Sequence, residues 1–180
     1  MNILTIKTSG RGNESVSNQL IDEILKNFKK KIDVDIRDED LTNLTFVNEL
    51  QVKGELSDHT ISYLENINWA DTIVIGCPIY NFNVPGKLKS WFDQIVIAGK
   101  TFNYTSNGPV GLLSNKKAIV VYTSGGTGMN SEIDFATPWI KFVLNFIGIN
   151  EISFVSADQV ALNYSDSIKS AHQDIEKLFS

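Results

Sequence analysis

The sequence has little of what several classes of protein require. One cysteine, Cys77, among 180 residues excludes an internal disulfide and is typical of a reducing compartment. The two histidines, His59 and His172, are far apart in the sequence and lack ligand-like neighbours, so we expect no metal site. Lysine and arginine (16) are outnumbered by aspartate and glutamate (21), and the net charge of -5 argues against a dedicated nucleic-acid-binding protein.

Long apolar runs are also absent. No stretch approaches the roughly 20 apolar residues that a membrane-spanning helix needs. The chain enters a strand-like segment at Asn2 without the charged start, apolar centre and cleavage site of a secretory signal. We therefore expect a cytoplasmic protein that needs no membrane, with residues 1–180 forming one domain large enough to bury a proper core.

What the sequence does contain is an alternation of short apolar runs and segments of helical periodicity. The runs predicted to be strands are residues 2–7, 32–36, 72–77, 116–123 and 151–156. The predicted helix starts are Ser15 or Ser17, Ser57-Asp58, Pro85, Thr137-Pro138 and Ser165-Asp166, with Gly148 ending the fourth helix. Residues 37–56 are polar and carry no clear periodicity, and residues 99–115, with three glycines, predict a long ordered loop or a small hairpin.

Five strands alternating with helices predict an α/β fold. The expected architecture is one doubly wound parallel sheet of five strands in the order 2-1-3-4-5, with helices on both faces. In that order, the loops after the first, third and fourth strands meet at one edge of the sheet, which is where open α/β sheets bind ligands. These loops are residues 9–17, 79–83 and 123–128.

The first loop predicts an anion site. Ser9, Ser15 and Ser17 lead into a helix start, where free backbone N–H groups and the helix dipole attract negative charge. The loop has neither a GxGxxG pattern nor the lysine of a P-loop, so a dinucleotide site and a P-loop NTPase are not supported. Arg11 is the only cation in the loop. The alternative is that the serines serve only as helix caps.

The other two loops suit a flat ligand. Tyr80, Asn81 and Phe82 can stack on or hydrogen-bond to a ring, the alternative being a loop packed on the fold, in which a buried asparagine amide would need partners. The glycines at 125, 126 and 128 allow close approach of a backbone to a planar ligand, the alternative being a plain turn. An anion pocket, an aromatic-amide wall and a glycine wall together describe a mononucleotide with a flat polar ring, and FMN fits best.

With these loops assembled, the sequence resembles the FMN-dependent NADH-azoreductases, a branch of the flavodoxin-like quinone reductases. The segments that carry the resemblance are Ser9, SVSNQL (15–20), PIYNFNVPGKLKSWFD (78–93), GKTFNYTSNGPVGLL (99–113), KKAIVVYTSGG (116–126) and FIGI (146–149). The departures are Thr123-Ser124-Gly125-Gly126 in place of the common Ser-Arg-Gly-Gly, a shorter segment over residues 37–56, and Asp158-Gln159-Val160 near an expected acidic residue and glycine.

The resemblance implies a flavodoxin-like fold and a set of FMN-binding residues. The implied phosphate-binding residues are Ser9, Ser15, Val16 and Ser17; the implied ring-edge residues are Pro78, Ile79, Tyr80, Asn81 and Phe82; and the implied contacts to the pyrimidine end are Thr123, Ser124, Gly125 and Gly126. Tyr104 matches an aromatic position on the substrate side of the flavin, and Tyr104 and Asn81 are the candidates for positioning substrate or flavin. The resemblance also implies a homodimer with two sites at the interface.

The predicted activity is two-electron transfer from NADH through FMN to quinones or azo compounds by a ping-pong cycle. No side chain is assigned as an obligate catalytic acid, because water or Tyr104 could protonate the product. A flavodoxin-type electron carrier without NADH turnover is the alternative, although such carriers are usually more acidic and the insertion at residues 99–115 suits an enzyme better. A non-catalytic interaction protein is a further alternative. A phospho-receiver domain is not supported, because it needs acidic residues at the strand ends and the first and third predicted strands of this sequence have none there.

Overall fold

The computed structural model describes residues 1–180, apart from the side chains of residues 13 and 50. The described residues form seven strands, six α-helices and one short 3₁₀ helix. Their bounds are β1 Asn2–Ile6, the 3₁₀ helix Gly12–Glu14, α1 Val16–Lys31, β2 Asp35–Asp38, α2 Glu49–Val52, α3 Asp58–Trp69, β3 Thr72–Pro78, α4 Gly86–Ile95, β4 Phe102–Thr105, β5 Gly108–Gly111, β6 Lys117–Thr123, α5 Ala136–Phe146, β7 Glu151–Ala157 and α6 Tyr164–Leu178.

The main sheet is parallel and has the order β2-β1-β3-β6-β7. This is the predicted order 2-1-3-4-5, because β4 and β5 lie outside the main sheet, and the predicted fold class is confirmed. Strand β3 is at the centre and is buried at all seven positions. Its run of apolar residues without polar alternation follows from helices covering both faces of the sheet.

Two hydrophobic cores lie on opposite faces of the sheet. One core packs α3, α4 and α5 against it and contains the fully buried rings of Trp91 and Phe92, which meet edge to face with centroids 5.0 Å apart. The other core packs α1 and α6 against the opposite face, through Ile21, Ile24 and Ile175 among others. Both helix layers therefore pack on the faces of the sheet, and loops border its carboxyl edge.

Residues 99–115 form the hairpin that was one of the two predicted outcomes. Strands β4 and β5 pair antiparallel in a sheet of their own. The hairpin is held against the end of α5, where the amide of Leu113 donates to the Ile147 carbonyl at 2.9 Å. Gly148 ends α5 as predicted, with a φ of 102°. The backbones approach so closely here that a Cβ built on Gly111 would lie 2.1 Å from the Gly148 nitrogen.

Two predicted helix starts are wrong. Helix α5 begins at Ala136, not after a Thr137 cap, because the buried Asp134 carboxylate accepts from the amides of Ala136 and Thr137, both at 3.1 Å. Helix α6 begins at Tyr164, because the Asn163 side chain accepts from the Asp166 amide at 3.4 Å. A cap at Ser15 and a cap at Ser57 are confirmed.

Further boundaries differ from the prediction. Strand β1 ends at Ile6 and not at residue 7, β6 begins at Lys117 and not at residue 116, and the ends of β2 and β7 are residues 38 and 157 and not 36 and 156. Strand β2 begins at Asp35 and not at residue 32, because α1 continues to Lys31 and the Ile32 amide still donates to Phe28. Strand β3 was predicted to end at Cys77, but it includes Pro78 as its last residue. Pro85 lies one residue before α4 as its N-cap, where its missing N–H leaves no acceptor unsatisfied.

The segment without a sequence prediction, residues 37–56, contains the end of β2 and the short helix α2. The Gln94 side chain ties it to α4 by donating to the Thr45 carbonyl at 2.9 Å. The segment also carries the buried Glu39 carboxylate, which accepts from Asn66 Nδ2 at 2.9 Å and Trp91 Nε1 at 3.3 Å. Among the described residues, no helix has the length and apolar character required to cross a membrane.

Candidate functional site

A cavity of about 460 Å³ opens at the carboxyl edge of the parallel sheet. Four loops border it, because the carboxyl ends of parallel strands lie at one edge. Its lining residues are Ser9, Arg11, Glu14, Ser15, Val16, Gln19, Pro78, Ile79, Tyr80, Thr123, Ser124, Gly125, Val160, Ala161 and Tyr164. Its volume is within the range of small-molecule sites.

One end of the cavity is the amino terminus of α1. Ser15 is the N-cap, with its buried hydroxyl accepting from the Asn18 amide at 3.2 Å and lying 3.0 Å from the Ser17 hydroxyl. The alternative that the serines serve as helix caps is therefore correct for the Ser15 hydroxyl, whereas the Ser17 hydroxyl pairs with that of Ser15. The amides of Val16 and Ser17 are in the first turn, where no earlier helical carbonyl can accept from them. Those amides and the helix dipole are able to attract an anion at this end of the cavity.

The second loop is a tight turn with two non-glycine residues in the left-handed region. Tyr80 and Asn83 exchange backbone hydrogen bonds of 3.0 and 3.2 Å, while Asn81 and Phe82 have φ values of 49° and 68°. Such values at both central positions define a type I′ turn. A left-handed backbone conformation is strained for phenylalanine but not for glycine. Strain of this kind is concentrated at functional sites.

The turn is held from two sides. The Tyr80 hydroxyl accepts from the Gly10 amide at 3.0 Å, which joins this turn to the first loop. The Phe82 carbonyl accepts from the Phe135 amide at 3.1 Å, which joins it to the loop before α5. The Phe82 ring is half exposed and Asn81 is exposed, so the alternative of a loop buried in the fold is wrong.

The third loop is hydrogen-bonded to a fourth loop, which follows β7. The Ser124 hydroxyl accepts from the Gln159 amide at 3.0 Å and donates to the Thr127 carbonyl. The Ser124 and Gly125 carbonyls accept from the amides of Val160 and Ala161 at 2.9 and 3.0 Å. Because each peptide unit is planar and trans, the N–H groups of Gly125 and Gly126 point away from the fourth loop and can meet a ligand.

Buried polar groups support the third loop from below. Asp134 accepts from the Asn130 amide at 2.8 Å as well as capping α5. Burial, and next the nearby Asp134 carboxylate, raise the pKa of the Tyr122 hydroxyl. The same two causes raise the pKa of the buried Cys77 thiol well above its ordinary range. A thiol in this state is poorly nucleophilic, so Cys77 is best described as an inert core residue.

Most of the sequence-predicted flavin residues meet at the cavity. Nine of them line it, namely Ser9, Ser15, Val16, Pro78, Ile79, Tyr80, Thr123, Ser124 and Gly125. Ser17, Asn81, Phe82 and Gly126 lie on the same loops but outside this lining. Tyr104 is on strand β4, 75% exposed, with its ring edge to face with Phe102 at 5.2 Å.

Sequence reasoning missed six lining residues, which are Arg11, Glu14, Gln19, Val160, Ala161 and Tyr164. The signal for Arg11 was present, since it is the only cation in the first loop. The fourth loop follows another parallel strand and must lie at the same edge, so its contribution could also have been found.

The residues present fit FMN. First-turn amides can bind its phosphate, and the Tyr80 loop and the glycine amides can contact the edge and the polar end of its ring. The hydroxyl, amide and aromatic groups at the cavity are those that suit a neutral ring on an anionic tail. This fit rests on the chemistry of the donors and on the size of the cavity.

Comparison with known proteins agrees with this description. A family model described as a flavodoxin-like fold matches residues 1–179. The chain is 42% identical over 196 residues to the FMN-dependent NADH:quinone oxidoreductase of Pelagibacter ubique, covering 99% of this chain and 100% of that protein. It is 36% identical to the protein of the same name from Erythrobacter litoralis, covering 98% of each.

Among solved structures, the FMN complex of an FMN-dependent NADH-azoreductase from Bacillus anthracis superposes with a TM-score of 0.87 at 26% identity, covering 99% of this chain and 97% of that one. The resemblance found in the sequence is thereby confirmed. The carboxyl-edge cavity, the strand order and the full-length family match together lead to one assignment. The chain belongs to the flavodoxin-like fold family, in the branch that contains the FMN-dependent NADH:quinone oxidoreductases and NADH-azoreductases.

Proposed function

We propose that this chain is an FMN-dependent NADH oxidoreductase that reduces quinones and azo compounds, with one FMN-binding domain over residues 1–180. The observation that carries the proposal is the meeting of an anion-binding helix start, a strained aromatic turn and outward-facing glycine amides at one cavity. The names of the full-length relatives support the same activity. FMN, when bound, accepts a hydride from NADH and passes two electrons to the acceptor.

The chain's own residues bind and orient the reactants. The amides of Val16 and Ser17 hold the phosphate at the start of α1. The turn at Tyr80 is fixed through Gly10 and supports the edge of the ring. The N–H groups of Gly125 and Gly126 stabilise negative charge at the polar end of the ring, with an orientation set in advance by the bonds to the fourth loop. Fixing two flat rings in contact provides most of the remaining acceleration.

The active form is proposed to be a homodimer. A continuous set of aromatic rings joins the hairpin to α5, because Phe146 contacts both Phe102 (4.6 Å) and Phe142 (6.2 Å), and Phe102 contacts Tyr104. Phe142 is 67% and Tyr104 is 75% exposed in a single chain. An exposed aromatic face of this kind is the type of surface that a second copy covers.

Sedimentation velocity tests the dimer. Phe142→Glu should convert the protein to monomers, whereas Ile32→Glu should leave the dimer intact, because Ile32 is an exposed apolar residue at the far end of α1. A wild-type protein that sediments as a monomer at micromolar concentration would contradict this part of the proposal.

The activity is tested by an absorption spectrum during anaerobic addition of NADH. We expect a flavin band at about 450 nm, a property of FMN itself, that bleaches at one equivalent of NADH per chain. Steady oxidation of NADH with menadione then separates an enzyme from a flavodoxin-type carrier, which would bind flavin without turnover. A purified chain that takes up no flavin would overturn the proposal.

A further inference from the structure

Two opposite charges are at the anion end of the cavity. Arg11 is the only cation and Glu14 the only anion among the described residues that line it. Both side chains are exposed, and Arg11 takes part in none of the ion pairs formed by the described residues. The guanidinium therefore has its five donors free at the rim, next to the amides that bind an anion.

The backbone keeps these two charges in place. The Ser9 hydroxyl accepts from the Arg11 amide at 3.2 Å, and the Glu14 amide donates to the Arg11 carbonyl at 3.2 Å. The turn between them closes through Gly12, whose φ of 54° suits a residue without a side chain. The Ser15 amide donates to the Gly12 carbonyl at 3.2 Å, so the charged turn leads directly into the N-cap of α1.

We propose that Arg11 is a phosphate-binding residue for the flavin, with Glu14 opposing it, and that the pair determines selectivity for a phosphorylated flavin over an unphosphorylated one. This inference rests on the proposed function. A phosphate at the α1 terminus lies within reach of a guanidinium that lines the same cavity, and guanidinium–phosphate contacts are charge-assisted and can be bidentate. Glu14 repels the same phosphate, so the two side chains act on affinity in opposite directions.

The consequence is a specific pattern of flavin affinity. Arg11→Gln should weaken FMN binding about tenfold and Arg11→Lys by roughly threefold, because lysine keeps the charge and loses the planar fork. Glu14→Gln should tighten FMN binding by roughly threefold at low salt. Riboflavin, which has the same ring and no phosphate, should bind all four proteins equally. The differences should shrink in about 1 M salt, because these side chains are exposed.

The experiment is fluorescence titration of the full-length chain, freed of flavin, with FMN and separately with riboflavin at low and high salt. Lys26→Gln is the matched control, because it removes a positive charge from α1 at a site outside this cavity. Equal FMN affinity of Arg11→Gln and wild type would overturn the inference while leaving the proposed function standing. An equal loss for FMN and riboflavin would also overturn it, by showing that Arg11 acts only through the loop structure.

Two results keep the test decisive. Glu14→Gln changes affinity in the opposite direction, so it tests the proposal even if Arg11→Gln fails to fold by far-ultraviolet circular dichroism. A wild-type chain that binds neither flavin overturns the proposed function, and the inference with it, which distinguishes that outcome from a failure at Arg11 alone.

Discussion

Gly111→Ala tests the contact that positions the β4–β5 hairpin. An alanine Cβ there would lie 2.1 Å from the Gly148 nitrogen and 2.3 Å from the Ile147 carbonyl carbon, whereas ordinary contacts begin at 3.4 Å. The hairpin and the end of α5 must therefore separate by about 1.3 Å, and only backbone atoms can move. Overpacking of this severity costs about 3 kcal/mol. For a chain of this size, that lowers the melting midpoint by roughly 6 to 12 °C.

Differential scanning calorimetry of the flavin-free protein measures this loss without the contribution of bound cofactor. Gly86→Ala is the matched control, because a Cβ at the start of α4 meets nothing within 4 Å, and alanine favours the helix. FMN affinity should be unchanged in both variants, because the cavity is lined by other loops. The KM for quinone should rise only in Gly111→Ala, because the shift displaces Tyr104. A Gly111→Ala protein that melts within 1 °C of Gly86→Ala would refute the reasoning.

Three further predictions concern buried or bridging groups. Tyr80→Phe removes the acceptor of the Gly10 amide, a hydrogen bond worth about 1 kcal/mol, and should weaken FMN binding roughly fivefold by fluorescence titration. The Cys77 thiol, with its pKa raised by burial, should resist iodoacetamide in the folded protein and react in urea; rapid native labelling would contradict this. Desolvation raises the pKa of Glu39 above its ordinary value of 4.5, so the folded state binds this proton more tightly than the unfolded state. Urea unfolding should then show wild type losing stability relative to Glu39→Gln as pH rises from 4.5 through the folded pKa, and parallel pH profiles would exclude this role.

The parts of the fold that could be predicted depend on strong local patterns. The run from Thr72 to Cys77 shows no alternation of polar and apolar residues, so a strand covered on both faces suits it. The strand order then brought three loops together without any knowledge of their conformations. Nine site residues followed from that placement and the family resemblance.

The parts that could not be predicted depend on contacts distant in the sequence. Asp134, Thr137 and Pro138 are all plausible near a helix start, and only the packed loop determines that the aspartate caps α5. A phenylalanine at the second central position of a type I′ turn carries no local signal, because such turns usually have glycine there. The bond from the Gly10 amide to the Tyr80 hydroxyl spans 70 residues and holds one half of the site against the other.

The separate two-stranded sheet of β4 and β5 has an evolutionary consequence. Its tip, between Thr105 and Gly108, shares no ladder with the parallel strands, so insertions or exchanges there leave the register of the scaffold untouched. The length and sequence of this tip can therefore vary without disturbing the carboxyl-edge cavity, which other loops line. A library of variants randomised only at residues 105–108 would test this tolerance.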